Sequence, residues 1–195
     1  WIGGSGEKIA FIGFEDDFNK NCTITEDTVV IDGSQYVVFP GFVDPHTHLP
    51  FAHTRQDEFR LKLQGVSYQE IAAKGGGIKG TVRKTREIEA NDLIAQCEKR
   101  LDHILASGTT TIEAKSGYGL DLETEIKQLE VLKALKSFHP VAIVPTFMGA
   151  HEIPEEYKND HKKFLDFIID EVAPVVKEKD LAEFTDIFCE NGVFS

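Results

Sequence analysis

His46 and His48 stand one residue apart at the end of the run PGFVDPHTH, residues 40–48. In a strand, residues i and i+2 project to the same face, so both imidazoles aim at one point, whereas a helix would separate them. Neutral imidazole is the commonest protein metal ligand and suits zinc and iron alike. Pro45 removes a ladder donor, so the strand is expected to stop about there and leave the imidazoles at its C-terminal mouth. That is where α/β sheets and barrels keep their chemistry, with room for a bound water and a substrate. The plain alternative is a pair of polar residues closing a strand. The coincidence of an apolar run, a proline stop and alternate-residue spacing favours the metal reading.

Two further strand patterns also end in polar groups. Residues 109–114 open into Lys115, Ser116, Gly117 and Tyr118, and residues 141–147 open toward His151. This convergence carries more weight than any one residue, because the opposite ends of such strands normally carry plain turn residues. Lys115 has two readings, an active-site role or rim pairing with Glu113 or Asp121. The formal charge of −12 means that an anionic small substrate must be held by a local cation working against the global field, which draws attention to Arg55. The triple glycine at 75–77 follows a helix pattern rather than a strand. It therefore reads as a loop lying over a site and not as a phosphate cradle.

The elements that must position these groups change character near Pro40. Residues 1–39 read as short antiparallel β segments at 8–12, 27–31 and 36–39. From residue 40 the pattern alternates strands with helices, the mark of βαβ units and a parallel sheet. After a short helix over 68–74, helices are expected over 80–89, over 91–106 with Asn91 as N-cap, over 121–138, and over 160–172 with Pro174 bending or ending the last. Strands are expected at 38–43, 109–114, 141–147 and 183–190. Four such strands make half of a closed (β/α)8 barrel, which takes eight and about 250 residues. The fourth strand is then an edge without a partner.

The acidic balance argues against nucleic acid and anionic membrane surfaces as partners. Cys22, Cys97 and Cys189 are widely spaced and odd in number, which points to reduced thiols and a cytoplasmic location. No stretch approaches the roughly 18 apolar residues of a membrane span. The chain opens at Trp1 without an initiator methionine and reads as cut at its front end.

The runs PGFVDPHTHLPFAHTRQDEF, SYQEIAAKGGGI, TTTIEAKSGYGLDLETE and TFMGAHEIPEEYK resemble the imidazolonepropionase family of the amidohydrolase superfamily, from about Gly33 onward. An HxH pair alone marks only the superfamily, but KSGYGL and GAHEIP beside the HTR loop are specific to this member. The resemblance implies an α/β fold, the N-terminal half of a TIM (β/α)8 barrel over residues 40–195, preceded by part of a small β-sandwich over residues 1–39. It implies one zinc or iron ion. It also implies hydrolysis of the imidazolone ring C–N bond of 4-imidazolone-5-propanoate to N-formimidoyl-L-glutamate, in histidine breakdown.

Carried over residue by residue, His46 and His48 match metal ligands, and Arg55, Tyr118 and His151 match substrate-contacting positions, with Tyr68 a weaker match. An arginine can hold a propionate carboxylate with two parallel donor bonds, which lysine cannot copy. Tyr118 offers a hydroxyl on a glycine-flanked turn, and His151 can donate to a ring carbonyl as it becomes tetrahedral. The family's remaining histidine and aspartate ligands and its catalytic glutamate belong to later strands, so no catalytic residue is assigned within this chain. The absence of a lysine at 184–190 favours one metal over two, and Glu190 sits near the mouth without family warrant as a ligand. A homodimer is one assembly open to the complete enzyme. Two other readings stand beside this one: a hydrolase or deaminase for another small ring, and a truncated, inactive chain.

Overall fold

A computed structural model of the chain describes residues 1–67, 70–71, 75–190 and 193–194. It divides into two compact units, Trp1–Phe39 and Pro40–Ser195. In the first, strands β1 (Ile2–Ser5) and β2 (Lys8–Ile12) form an antiparallel hairpin with a register shift between Gly3 and Gly4. Helix α1 (Glu15–Asn21), which the sequence pattern does not announce, packs Phe18 between the rings of Trp1 and Phe11, with centroids 4.7 and 5.5 Å away. The strands expected at 27–31 and 36–39 do not form. Their β-branched and aromatic side chains, Val29, Ile31, Val37 and Phe39 among them, are exposed. Strand propensity is the tendency to fit a paired, half-buried surface, and these segments pair with nothing in the described structure.

The second unit is mixed α/β. Strands β3 (Phe42–Thr47), β4 (Thr109–Lys115), β5 (Ala142–Ala150) and β6 (Phe184–Ile187) form one parallel sheet in the order β3-β4-β5-β6. Every strand neighbours the next in sequence, as in part of a barrel. Between β3 and β4 lie helices α2 (Gln56–Leu63), α3 (Gly77–Glu87) and α4 (Ala90–Ala106), and α5 (Leu122–Lys136) joins β4 to β5. Helix α6 (His161–Phe167), a π turn (Ile168–Val172) and α7 (Ala173–Glu178) lead to β6. The core forms where Ile112, Ala114, Ile143 and Phe147 on one sheet face meet Leu93, Cys97 and Leu101 of α4 and Leu129, Leu132 and Leu135 of α5.

Several boundaries differ from those that local pattern implies. The first barrel-type strand runs over 42–47 rather than 38–43, and it passes through Pro45 instead of stopping there. Asp44 pairs with Ile112 and Thr47 with Ala114, so three steps on β3 face two on β4. This irregularity on an edge strand is where a residue lacking its N–H is tolerated. Helix α4 begins one residue before Asn91, capped by Glu89 without a side-chain bond. Pro174 neither ends nor breaks its helix. The turn before it widens so that the Ala173 N–H bonds the Ile168 carbonyl five residues back, and the proline sits in the first turn of α7 where no N–H is needed. Strand β5 extends to Ala150, and β6 is shorter than the apolar pattern over 183–190. The helix expected over 68–74 falls largely outside the described residues.

Candidate metal and substrate site

β3 delivers His46 and His48 to the mouth of the sheet as its alternation requires, with ring centroids 5.8 Å apart. His46 is exposed and His48 half-buried. His48 is further fixed by the carbonyl of Ser116, 3.1 Å from its Nδ1. A carbonyl only accepts, so Nδ1 carries the proton and Nε2 keeps its lone pair. Burial, followed by the neighbouring His151, pushes the His48 pKa down to about 4, so the ring is neutral at physiological pH.

His151, just past β5, repeats the arrangement: its Nδ1 lies 2.8 Å from the carbonyl of Gly117. Its ring stacks on that of His48 at 4.5 Å, and both make edge contacts with Tyr118 at 5.1 and 5.2 Å. Burial lowers the His151 pKa, against the pull of the Gly117 carbonyl. Burial also raises that of Tyr118, which the positive charge of Arg55 opposes. Arg55 is therefore close enough to act on the phenol. Its Nε donates to Glu58 Oε2 at 3.0 Å, and the other oxygen of Glu58 takes the Gly77 N–H at 2.8 Å. The guanidinium is thus steered by one carboxylate that also ties down the glycine loop. The structure brings His46, His48, Tyr118 and His151 together, and Arg55 lies near enough for its charge to bear on Tyr118. Tyr68 lies outside the described residues.

Sequence reasoning singled out Lys115 and named Glu113 beside it, but neither Asp186 nor Thr146. On the sheet face opposite the core, its Nζ bonds Glu113 at 2.7 Å and Asp186 of β6 at 2.9 Å, while Thr146 donates to Glu113 at 2.7 Å. Of the two expected rim partners only Glu113 is right, since Asp121 pairs with Arg86 at 2.8 Å. Lys115 is buried, and the three charges together with Thr146 stitch β4, β5 and β6 together across their polar face.

Glu125 and Gln128 were also missed. Both project from α5 into the turn that carries Tyr118, where Glu125 accepts the N–H groups of Gly117, Gly119 and Leu120. Gln128 accepts from Tyr118 N and donates to the carbonyl of Pro50, joining the turns after β3 and β4. Their signal was available: Glu125 and Gln128 fall on the same helical stripe as Leu129, Leu132 and Leu135, and polar residues on an apolar stripe require buried partners.

His46 and His48 fit as two ligands to one ion, with the second held by a carbonyl on its far nitrogen in the manner of metal-bound histidines. Among the described residues no group of three or more His, Cys, Asp or Glu side chains is arranged to hold a metal. A catalytic zinc ordinarily takes three protein ligands. Two surface grooves, of about 430 and 220 Å³, are lined by none of these imidazoles, which lie instead at an open mouth.

No protein-family model matches the chain. Curated relatives do. The chain is 51% identical over 195 residues to an imidazolonepropionase of Alkaliphilus metalliredigens, covering 100% of this chain and 46% of that protein. It is 49% identical over 189 residues to one of Symbiobacterium thermophilum, covering 96% of this chain and 44% of the relative. It is 54% identical over 166 residues to one of Bacillus cytotoxicus, covering 85% and 39%. Identity at this level across two units, with the His46–His48 strand, the glycine-flanked tyrosine turn and the His151 turn all inside the matched span, is not a matter of one motif. By sequence the chain belongs with the imidazolonepropionases, spanning a little under half of their length.

Proposed function

We propose that the protein carrying this chain hydrolyses the ring C–N bond of 4-imidazolone-5-propanoate to N-formimidoyl-L-glutamate in the cytoplasm, with one zinc or iron ion. The four strands then belong to a TIM barrel of the amidohydrolase kind, and residues 1–39 to a small β-sandwich. The observation that carries this reading is the cluster of His48, Tyr118 and His151, whose two imidazoles are each held by a backbone carbonyl at the mouth of a parallel sheet.

His46 and His48 would hold the ion, with the ligands that complete it supplied by later strands. When bound, such an ion activates water for attack on a ring carbonyl. The rest is the work of the chain's own side chains. Arg55, oriented by Glu58, offers its remaining donors to the propionate carboxylate. Tyr118, its proton retained because burial raises its pKa, donates through its hydroxyl. Neutral His151 keeps its Nδ1 proton on Gly117, so its Nε2 meets the substrate as an acceptor and not as the donor to the ring carbonyl that the resemblance implied.

The test is an assay of the purified, metal-loaded protein for loss of the imidazolone chromophore and formation of formimidoylglutamate. Turnover of a ring lacking the propionate at an equal rate would support another cyclic amidohydrolase instead. Two imidazoles alone make a weak metal site, so the described residues also support a second reading, that the 195-residue chain by itself is inactive.

A further inference from the structure

Nearly every polar backbone group of the turn over 116–120 has an identified partner. The N–H groups of Gly117, Gly119 and Leu120 converge on Glu125 at 3.1, 2.8 and 2.9 Å, and the Ser116 side chain adds another hydrogen bond. The Tyr118 N–H goes to Gln128. The carbonyls of Gly119 and Leu120 go to Arg86 of α3. Of the remaining carbonyls, those of Ser116 and Gly117 meet Nδ1 of His48 and of His151.

Converging amides around a carboxylate form an anion nest, and the turn adopts the required left-handed geometry at Gly117 (φ 107°) and Leu120 (φ 57°). A side chain at 117 would also run into His151, since an added Cβ would lie 2.8 Å from that residue's own Cβ. Glu125 is fully buried. Burial pushes its carboxyl up, and the donors oppose that shift. Donors filling both oxygens call for the ionised, acceptor-only form.

We propose that Glu125 is a positioning residue: by gathering the amides of the turn, its carboxylate sets the Ser116 and Gly117 carbonyls that hold His48 and His151 as Nδ1–H tautomers. Both Nε2 lone pairs are thereby kept for the ion and the substrate, a consequence that rests on the functional reading above. Glu125 itself touches neither.

Long-range proton–nitrogen NMR of the protein labelled in its histidines reads the tautomers directly, without metal or substrate. The expected result is a single Nδ1–H form for His48 and His151, beside averaged signals for the exposed His103 and His161. Glu125→Gln replaces an acceptor with a donor at the nest. It should turn both signals into tautomer mixtures and weaken zinc binding about 10- to 100-fold, the usual consequence of losing a group that orients a ligand. Leu129→Ala, one turn further along the same helix, should lower stability and leave the tautomers alone, which separates positioning from general support of the fold.

An Nε2–H tautomer at either histidine in the unmutated protein overturns the proposal, even if Glu125→Gln does not fold. Unchanged tautomers and zinc affinity in a folded Glu125→Gln protein overturn it as well. A protein that shows both Nδ1–H tautomers and hydrolyses no imidazolonepropionate supports the positioning and sinks the functional reading.

Discussion

The imidazole of His48 lies stacked on that of His151, with ring planes 17° from parallel, although β4 runs between the strands that lead to them. The two rings meet because consecutive carbonyls of the turn after β4, those of Ser116 and Gly117, each take one Nδ1 proton. Both histidines are thus set by one short stretch of backbone.

In the protein carrying this chain together with its later strands, His48→Ala should abolish stoichiometric metal binding and activity together, with far-UV circular dichroism unchanged. The ring lies at a strand mouth outside the apolar core, and its loss frees one carbonyl, at a cost of about 1 kcal/mol. Tyr118→Phe should leave metal in place. Metal analysis beside the spectrum decides the matter, and full occupancy in His48→Ala would make the pair structural.

Arg55→Lys should lower kcat/KM for the carboxylated substrate by roughly 1.5–3 kcal/mol, the scale of a charge-assisted bond, with metal content unchanged. Glu58→Gln should move kinetics the same way by less, because the guanidinium survives but loses the carboxylate that orients it at 3.0 Å. Steady-state kinetics on both variants is the measurement. Wild-type values for the lysine variant would remove the propionate clamp.

Acid should weaken the polar face of the sheet. Burial alone would raise the Glu113 pKa, but hydrogen bonds from Lys115 and Thr146 hold it below the ordinary range, and Lys115 lowers that of Asp186. A depressed carboxylate contributes stability that is present above its unfolded pKa, about 4, and lost as pH falls through the folded value. Urea unfolding from pH 7 to pH 3 should therefore show stability declining below about pH 4. Lys115→Met should cost roughly 3 kcal/mol at pH 7 and flatten that decline. This is the low end for breaking a buried pair, because Asp186, 39% exposed, is screened by water. An unaltered pH profile in the methionine variant would show that the network contributes nothing.

The 195-residue chain expressed alone should self-associate and carry well under one metal per chain. Edge strands β3 and β6 present Phe42, Val43, Phe184 and Ile187 to solvent, alongside unpaired backbone groups. Size-exclusion chromatography with metal analysis checks this. A sharp monomer peak holding one tight zinc would mean that two imidazoles and their surroundings complete a site unaided.

Local pattern was enough wherever one strand or helix settles the outcome. The His46–His48 pair is legible because strand alternation alone puts both rings on one face. The α4 stripe of Leu93, Cys97 and Leu101 is legible because helical spacing alone makes it the buried side. Pattern failed where partners decide. The segments at 27–31 and 36–39 have strand composition and find no partner, and Pro45 stays in β3 because an irregular register at an edge tolerates it. The buried network is the clearest division. The sequence by itself determined that polar groups would converge at the strand mouths and that Lys115 would stand among them. Only the tertiary structure decided that Lys115 reaches Asp186, 71 residues away, and that Glu125, one of several carboxylates near the start of α5, turns inward to hold the turn of Tyr118. The reason is that a buried charge takes whichever donors the packed chain brings within about 3 Å, a distance that residue order does not encode.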